Sequence, residues 1–143
     1  MKNIDALIQQ YHDELHNRVL PFWLEHSQDK EFGGYFTCLD RDGSVFDTDK
    51  FMWLQGREVW LFSMMCNKEG VRPEWLECAR QGAEFMLRYG HDGDYNWYFA
   101  LTRDGKPLVY PVGGNKLIQG YIQDIYQRVE IYKHRGVFQP CIK

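Results

Sequence analysis

Apolar residues at Ile4, Leu7, Ile8, Tyr11, Leu15, Val19 and Phe22 keep the three-and-four spacing of an amphipathic helix, predicting a first helix over residues 4–23 that Pro21 kinks or ends. A second run, residues 51–62, is apolar at both ends and over most of its circumference. Gln55, Gly56, Arg57 and Glu58 are grouped in its middle, so it reads as a helix buried among others with one polar window. Asp47, Thr48 and Asp49 offer N-caps for it, and residues 67–70 offer its end, with Gly70 as C-terminal cap. Gly56 inside this helix costs roughly 1 kcal/mol against Ala, and such a glycine often marks a close approach by another backbone or a ligand. Pro73 suits a first helical turn, and Trp75, Leu76, Ala79, Ala83, Phe85, Met86 and Leu87 give a third helix stopped by Gly90. After Gly113-Gly114, Ile118, Ile122, Ile125, Val129 and Tyr132 predict a fourth.

Between the helices the period changes. Strand formers at residues 35–39 and 44–46 flank Asp40-Arg41-Asp42-Gly43, and residues 97–101 lead into Thr102-Arg103-Asp104-Gly105, so each Asp-Gly predicts a hairpin turn. Arg41-Asp42-Gly43 thus recurs as Arg103-Asp104-Gly105, and at the same offset Tyr35 and Phe36 fall on Trp97 and Tyr98, and Leu39 on Leu101. Either two hairpins share a turn by chance, or a helix-and-loop unit repeats, as in helical arrays that close or stack because one unit cannot bury its own apolar faces.

The chain has 143 residues, 44% hydrophobic, enough for one packed domain. Its aromatic share of 16% fits an aromatic core or a pocket that stacks sugar rings. A net charge of -3 gives no reason to expect nucleic acid or an acidic membrane as partner. Cys38, Cys66, Cys78 and Cys141 make no C-x-x-C pair and no zinc spacing, and there is no signal peptide or long apolar run, which predicts reduced thiols in a cytoplasmic protein.

Two features carry candidate chemistry. Arg57 cannot shed its charge, so it is either a core residue paired with a neighbour such as Glu58 or Asp49, or a cation facing a cavity that binds negative charge. His12 and His16, four apart, share a helix face, as in the zinc motif H-E-x-x-H, but Asp13 stands where that motif needs glutamate. The pair therefore reads as a solvated charged face, and no metal site is expected.

The runs Phe22-Trp23, His26-Ser27, Gly33-Gly34-Tyr35-Phe36, Leu39-Asp40-Arg41-Asp42-Gly43, Asp49-Lys50-Phe51 and Arg57-Glu58-Val59-Trp60 resemble the N-terminal part of the N-acyl-D-glucosamine 2-epimerase family. Asp29 and the run Tyr95-Asn96-Trp97-Tyr98-Phe99-Ala100-Leu101-Thr102-Arg103-Asp104-Gly105 belong to the same likeness. The family includes renin-binding protein and, more distantly, cellobiose 2-epimerases. The resemblance covers residues 10–108. It implies an all-α fold in which residues 1–108 form the N-terminal part of an (α/α)6 barrel, an α/α toroid with short β-hairpins between helices. The family's next segment is not recognisable in residues 109–143, which read from their spacing as a divergent tail of one helix.

By that resemblance residues 51–62 form an inner helix, Arg57 is the active-site arginine, and Arg57 and Trp53 face the sugar. The implied reaction interconverts N-acetyl-D-glucosamine and N-acetyl-D-mannosamine by removing and replacing the C2 proton, with no cofactor or metal. Homodimers, and ATP as an allosteric activator, are implied likewise, although no Gly-rich phosphate loop is present. The family's catalytic histidines and their supporting glutamate lie in later helices of a longer chain. None of His12, His16, His26, His91 and His134 stands in a matching motif. The chain is therefore expected to be a fragment or truncated member, inactive alone. The alternative is a non-catalytic protein that binds a sugar or protein partner through exposed inner-helix surface.

Overall fold

A proline can neither donate a backbone hydrogen bond nor let its ring clear the carbonyl four residues back, and the first helix is built around that constraint. In the computed structural model, which describes residues 3–93 and 96–109, α1 (Ile4–Glu14) passes through a π turn, Leu15–Val19, into α2 (Leu20–His26). The wider turn falls just before Pro21, where the carbonyl of Asn17 would otherwise be crowded. The helix thus continues past Pro21 rather than ending there, and runs three residues beyond the expected Trp23 to His26. Asn3 caps α1 by accepting from the Asp5 amide (3.2 Å).

The other predicted helices form as α3 (Met52–Glu69) and α4 (Pro73–Tyr89), with Pro73 in the first turn and Gly70 and Gly90 at the ends. They pack together over Val59, Phe62 and Cys66 of α3 and Cys78, Ala79 and Ala83 of α4. The caps expected at Asp47, Thr48 and Asp49 do not form. Lys50–Phe51 is instead a strand, and the first amide of α3, Met52 N, donates to Phe99 O (3.0 Å), so sheet pairing supplies what capping would have.

Both hairpins form. Strand β1 (Cys38–Leu39) pairs antiparallel with β2 (Val45–Asp47), and β3 (Lys50–Phe51), β4 (Ala100–Leu101) and β5 (Pro107–Val109) make a second antiparallel sheet in the order β3-β4-β5. The repeat extends to hydrogen bonds. Asp40 N donates to Ser44 O (2.8 Å) and Gly43 N to Asp40 O (2.9 Å), as Thr102 N does to Lys106 O (2.8 Å) and Gly105 N to Thr102 O (3.0 Å). Upstream, Phe36 N donates to Ser27 O (2.6 Å) as Tyr98 N does to Gly90 O (2.9 Å). Even the helix ends correspond, with Ser27 N on Trp23 O (3.0 Å) and Gly90 N on Met86 O (2.8 Å). The same helix end and hairpin are therefore built twice, with α3 between them. The predicted fourth helix and the tail from residue 110 lie outside the described residues.

Tyr35 locks the first loop into the helical layer. It is fully buried, and its hydroxyl donates to Cys78 O of α4 (2.7 Å). Its ring occupies the space a side chain at Gly82 would need, since a Cβ there would lie 2.1 Å from Tyr35 Oη. Alanine favours a helix over glycine by about 1 kcal/mol, but overpacking of this kind costs roughly 1–3 kcal/mol. Gly82→Ala is therefore expected to lower the thermal midpoint, and an unchanged or higher midpoint would show that the Tyr35 ring has room to move.

Candidate functional site

On a helix of 3.6 residues per turn, four consecutive polar residues cannot share one face, and α3 separates them. Gln55, Gly56 and Glu58 are buried, whereas Arg57 points away from them and is exposed. Its guanidinium lies over the ring of Trp53, one turn earlier, with Cζ 4.5 Å from the centroid, a cation–π contact. Trp60 follows, 38% exposed, and Phe51 and Phe99 meet edge to face (5.9 Å) at the N-terminal end of the helix. The expectation that α3 is buried on all sides is thus corrected. One face packs on α4, while Trp53, Arg57 and Trp60 form an aromatic wall with a cation in it, uncovered among the described residues.

Glu58 is not the partner of Arg57, because it turns inward to Ser27. Burial pushes its carboxyl up to about 8, against a smaller opposing pull from the Ser27 hydrogen bond. Ser27 Oγ also lies 2.6 Å from Trp23 O, and one hydroxyl hydrogen cannot serve both acceptors. A protonated Glu58 resolves this: its O–H donates to Ser27 Oγ, which donates to the Trp23 carbonyl. Glu58 is thereby neutral near pH 7, and among the described residues no carboxylate pairs with Arg57.

Gln55 fixes the loop beneath the wall. It accepts from Tyr35 N (2.8 Å) and donates to Tyr35 O (2.8 Å), pairing with the backbone as a strand would. Gly34 (φ 69°) is needed here, since a Cβ would meet Gln55 Oε1 at 2.8 Å.

Beside it lies an ion cluster that sequence spacing did not suggest. Asp29 and Lys50 are both fully buried, with Lys50 Nζ 2.9 Å from Asp29 Oδ2. The ammonium has a second acceptor in Gly33 O (2.6 Å) and a third in Arg103 O (2.9 Å), which matches its three donors. Arg103 binds Asp29 through Nε (2.9 Å) and Nη2 (3.1 Å), and the Glu31 and Phe32 amides complete the carboxylate's partners. Burial alone would raise the Asp29 carboxyl, but hydrogen bonds from Arg103, Lys50 and the Phe32 amide outweigh it and hold the pKa at about 2. The cluster ties the first loop, β3 and the second hairpin into the platform on which α3 starts.

The histidines lie elsewhere. His26 lies against Gly43, and His91 Nδ1 is 2.6 Å from Asp92 O. His12 and His16 stack on α1 and the π turn (4.3 Å between centroids), while His134 lies outside the described residues. Among the described residues, no helix is long and apolar enough to cross a membrane.

A family model described as N-acylglucosamine 2-epimerase (GlcNAc 2-epimerase) matches residues 34–112, more than half of the sequence. The chain belongs to this family. The N-acylglucosamine 2-epimerase of Bos taurus is 48% identical over 96 residues, 64% of this chain and 23% of that protein. A cellobiose 2-epimerase of Bacteroides fragilis is 28% identical over 116 residues, 76% of this chain and 29% of that protein. The chain therefore spans about a quarter of the length of the curated 2-epimerases it matches. Among solved structures, cellobiose 2-epimerase from Bacillus thermoamylovorans B4167 superposes with a TM-score of 0.66 at 24% identity, covering 88% of this chain and 37% of that one. At that identity the likeness speaks for the fold. This 2-epimerase-family chain is the N-terminal part of an α/α toroid with short hairpins between helices.

Proposed function

We propose that this chain supplies the arginine-bearing wall of an amino-sugar 2-epimerase, which acts on N-acetyl-D-glucosamine and N-acetyl-D-mannosamine. The observation that carries the reading is the exposed Arg57 guanidinium, steadied on Trp53 and turned away from a neutral Glu58. Removing the C2 proton from the open-chain sugar leaves an enolate with its charge on the C1 oxygen. A fixed donor aimed at such an oxygen is worth on the order of 2.7–4 kcal/mol. Trp53 and Trp60 offer flat faces for the sugar's C–H edges. Inversion also needs two acid/base groups on opposite faces of C2, and the described histidines stand in no such arrangement with Arg57. The remaining toroid, present in the longer relatives, would supply them and close the cup. A cytoplasmic location and activation by ATP rest on the family resemblance.

By this reading the purified chain neither interconverts the two sugars nor exchanges the C2 hydrogen in D2O, as followed by proton NMR. Either sugar should nevertheless quench Trp53 emission, and Arg57→Ala should abolish the quenching. Turnover by the pure chain, or quenching indifferent to Arg57, would overturn the proposal.

A second reading is favoured by exposed apolar surface. Ile4 (70%), Ile8 (62%) and Tyr11 (72%) on α1, and Trp60 on α3, lie in solvent. A non-catalytic chain that self-associates through these faces would sediment as a homodimer at low concentration.

A further inference from the structure

We propose that His12, His16 and Glu69 form a binding site for a borderline divalent transition-metal ion such as Zn2+ or Co2+, which pins the N-terminal helix to the end of α3. The two histidines are one helical turn apart, with ring centroids 4.3 Å apart and planes 31° from parallel. The tertiary structure brings in a third donor from far along the chain: Glu69, the last residue of α3, whose Oε2 lies 3.1 Å from His16 Nε2. One ligand atom from each of the three residues lies within 4.8 Å of the others.

Metal–nitrogen and metal–oxygen bonds of about 2.0–2.2 Å imply ligand-to-ligand edges of roughly 3.3–3.6 Å in a tetrahedral site. The His16–Glu69 separation is already close to such an edge. The remaining adjustment falls on His12, whose side chain is 57% exposed and free to change rotamer. The Trp75 ring, 6.2 Å from that of His16, flanks the site on one side. Asp13 Oδ1, 3.8 Å from His12 Nδ1, is too far for a hydrogen bond and adds only negative charge beside the site. Two imidazoles and one carboxylate suit Zn2+, Co2+ or Ni2+ and not Mg2+ or Ca2+, and leave a fourth position for water. The structural consequence follows from the helix itself: α1 has no buried residue, so a cross-link at its C-terminal end would hold it where packing does not.

The test is a Co2+ titration of the 143-residue chain, read by d–d absorption, with Zn2+ as competitor. Expected is saturation at one equivalent without thiolate-to-cobalt charge-transfer bands, and at least about tenfold weaker binding in both His12→Ala and Glu69→Gln. Both substituted side chains are at least one-third exposed, so the variants should retain the wild-type circular dichroism. Absence of saturable binding, charge-transfer bands marking a cysteine site, or full affinity in either variant would overturn the proposal.

Discussion

Asp29→Ala is expected to destabilise the chain by about 3–5 kcal/mol at neutral pH, the usual range when one partner of a buried ion pair is removed. The magnitude comes from what remains behind. Lys50 is fully buried, and without Asp29 its ammonium keeps only two carbonyls, Gly33 O and Arg103 O. Arg103 and the amides of Glu31 and Phe32 lose their acceptor in the same step. A loss of this size is a large fraction of the 5–15 kcal/mol typical of a whole domain. Arg103→Ala should cost far less, because Arg103 is 36% exposed and water can replace it. The urea midpoints of the two variants against wild type test this. Equal shifts, or an Asp29→Ala shift under about 1 kcal/mol, would show that the cluster does not carry the fold. Its pH signature lies in acid. A carboxyl held at about 2 contributes stability that is present above its unfolded value, 3.8, and lost as pH falls through 2.

Glu58 works in the opposite direction and at higher pH. Its carboxyl is raised from 4.5 to about 8, so between those values the folded chain keeps a proton that the unfolded chain has released. Stability from this group is complete below pH 4.5 and declines as pH rises through 8. From pH 5 to pH 8 the decline is on the order of 3–4 kcal/mol, since each pKa unit is worth about 1.4 kcal/mol. Glu58→Gln keeps an acceptor and a donor beside Ser27 and cannot ionise, so its stability should be nearly flat over the same window. Urea midpoints at pH 5, 6.5 and 8 for both proteins decide the matter. A flat wild-type profile, or one that Glu58→Gln reproduces, would place the titration elsewhere.

The helices were legible because burial imposes a period. Trp75, Ala79, Ala83 and Met86 announced the face of α4 that meets α3, and Pro73 and Gly90 announced its ends. The hairpins were legible because each Asp-Gly turn needs a glycine at positive φ, found at Gly43 (85°) and Gly105 (88°). Less visible was the start of α3, where Lys50–Phe51 pairs with Ala100–Leu101, a partner that no local signal at Asp47, Thr48 or Asp49 could disclose. At the candidate site, the sequence presented Gln55, Gly56, Arg57 and Glu58 as one polar window. Helical geometry distributed them between a buried support and an exposed wall.

What the sequence by itself determined was everything set by neighbours along the chain: helix periods, turns, the repeat, and the likeness that singled out Arg57 and Trp53. What only the tertiary structure decided was the pairing of polar groups across long separations, Asp29 with Lys50 and Arg103, and His16 with Glu69. Local periodicity records which face of an element is dry. It does not record which distant residue lies opposite, because that depends on how whole elements pack, and the protonation of Glu58 and the partners of each buried charge follow from that packing.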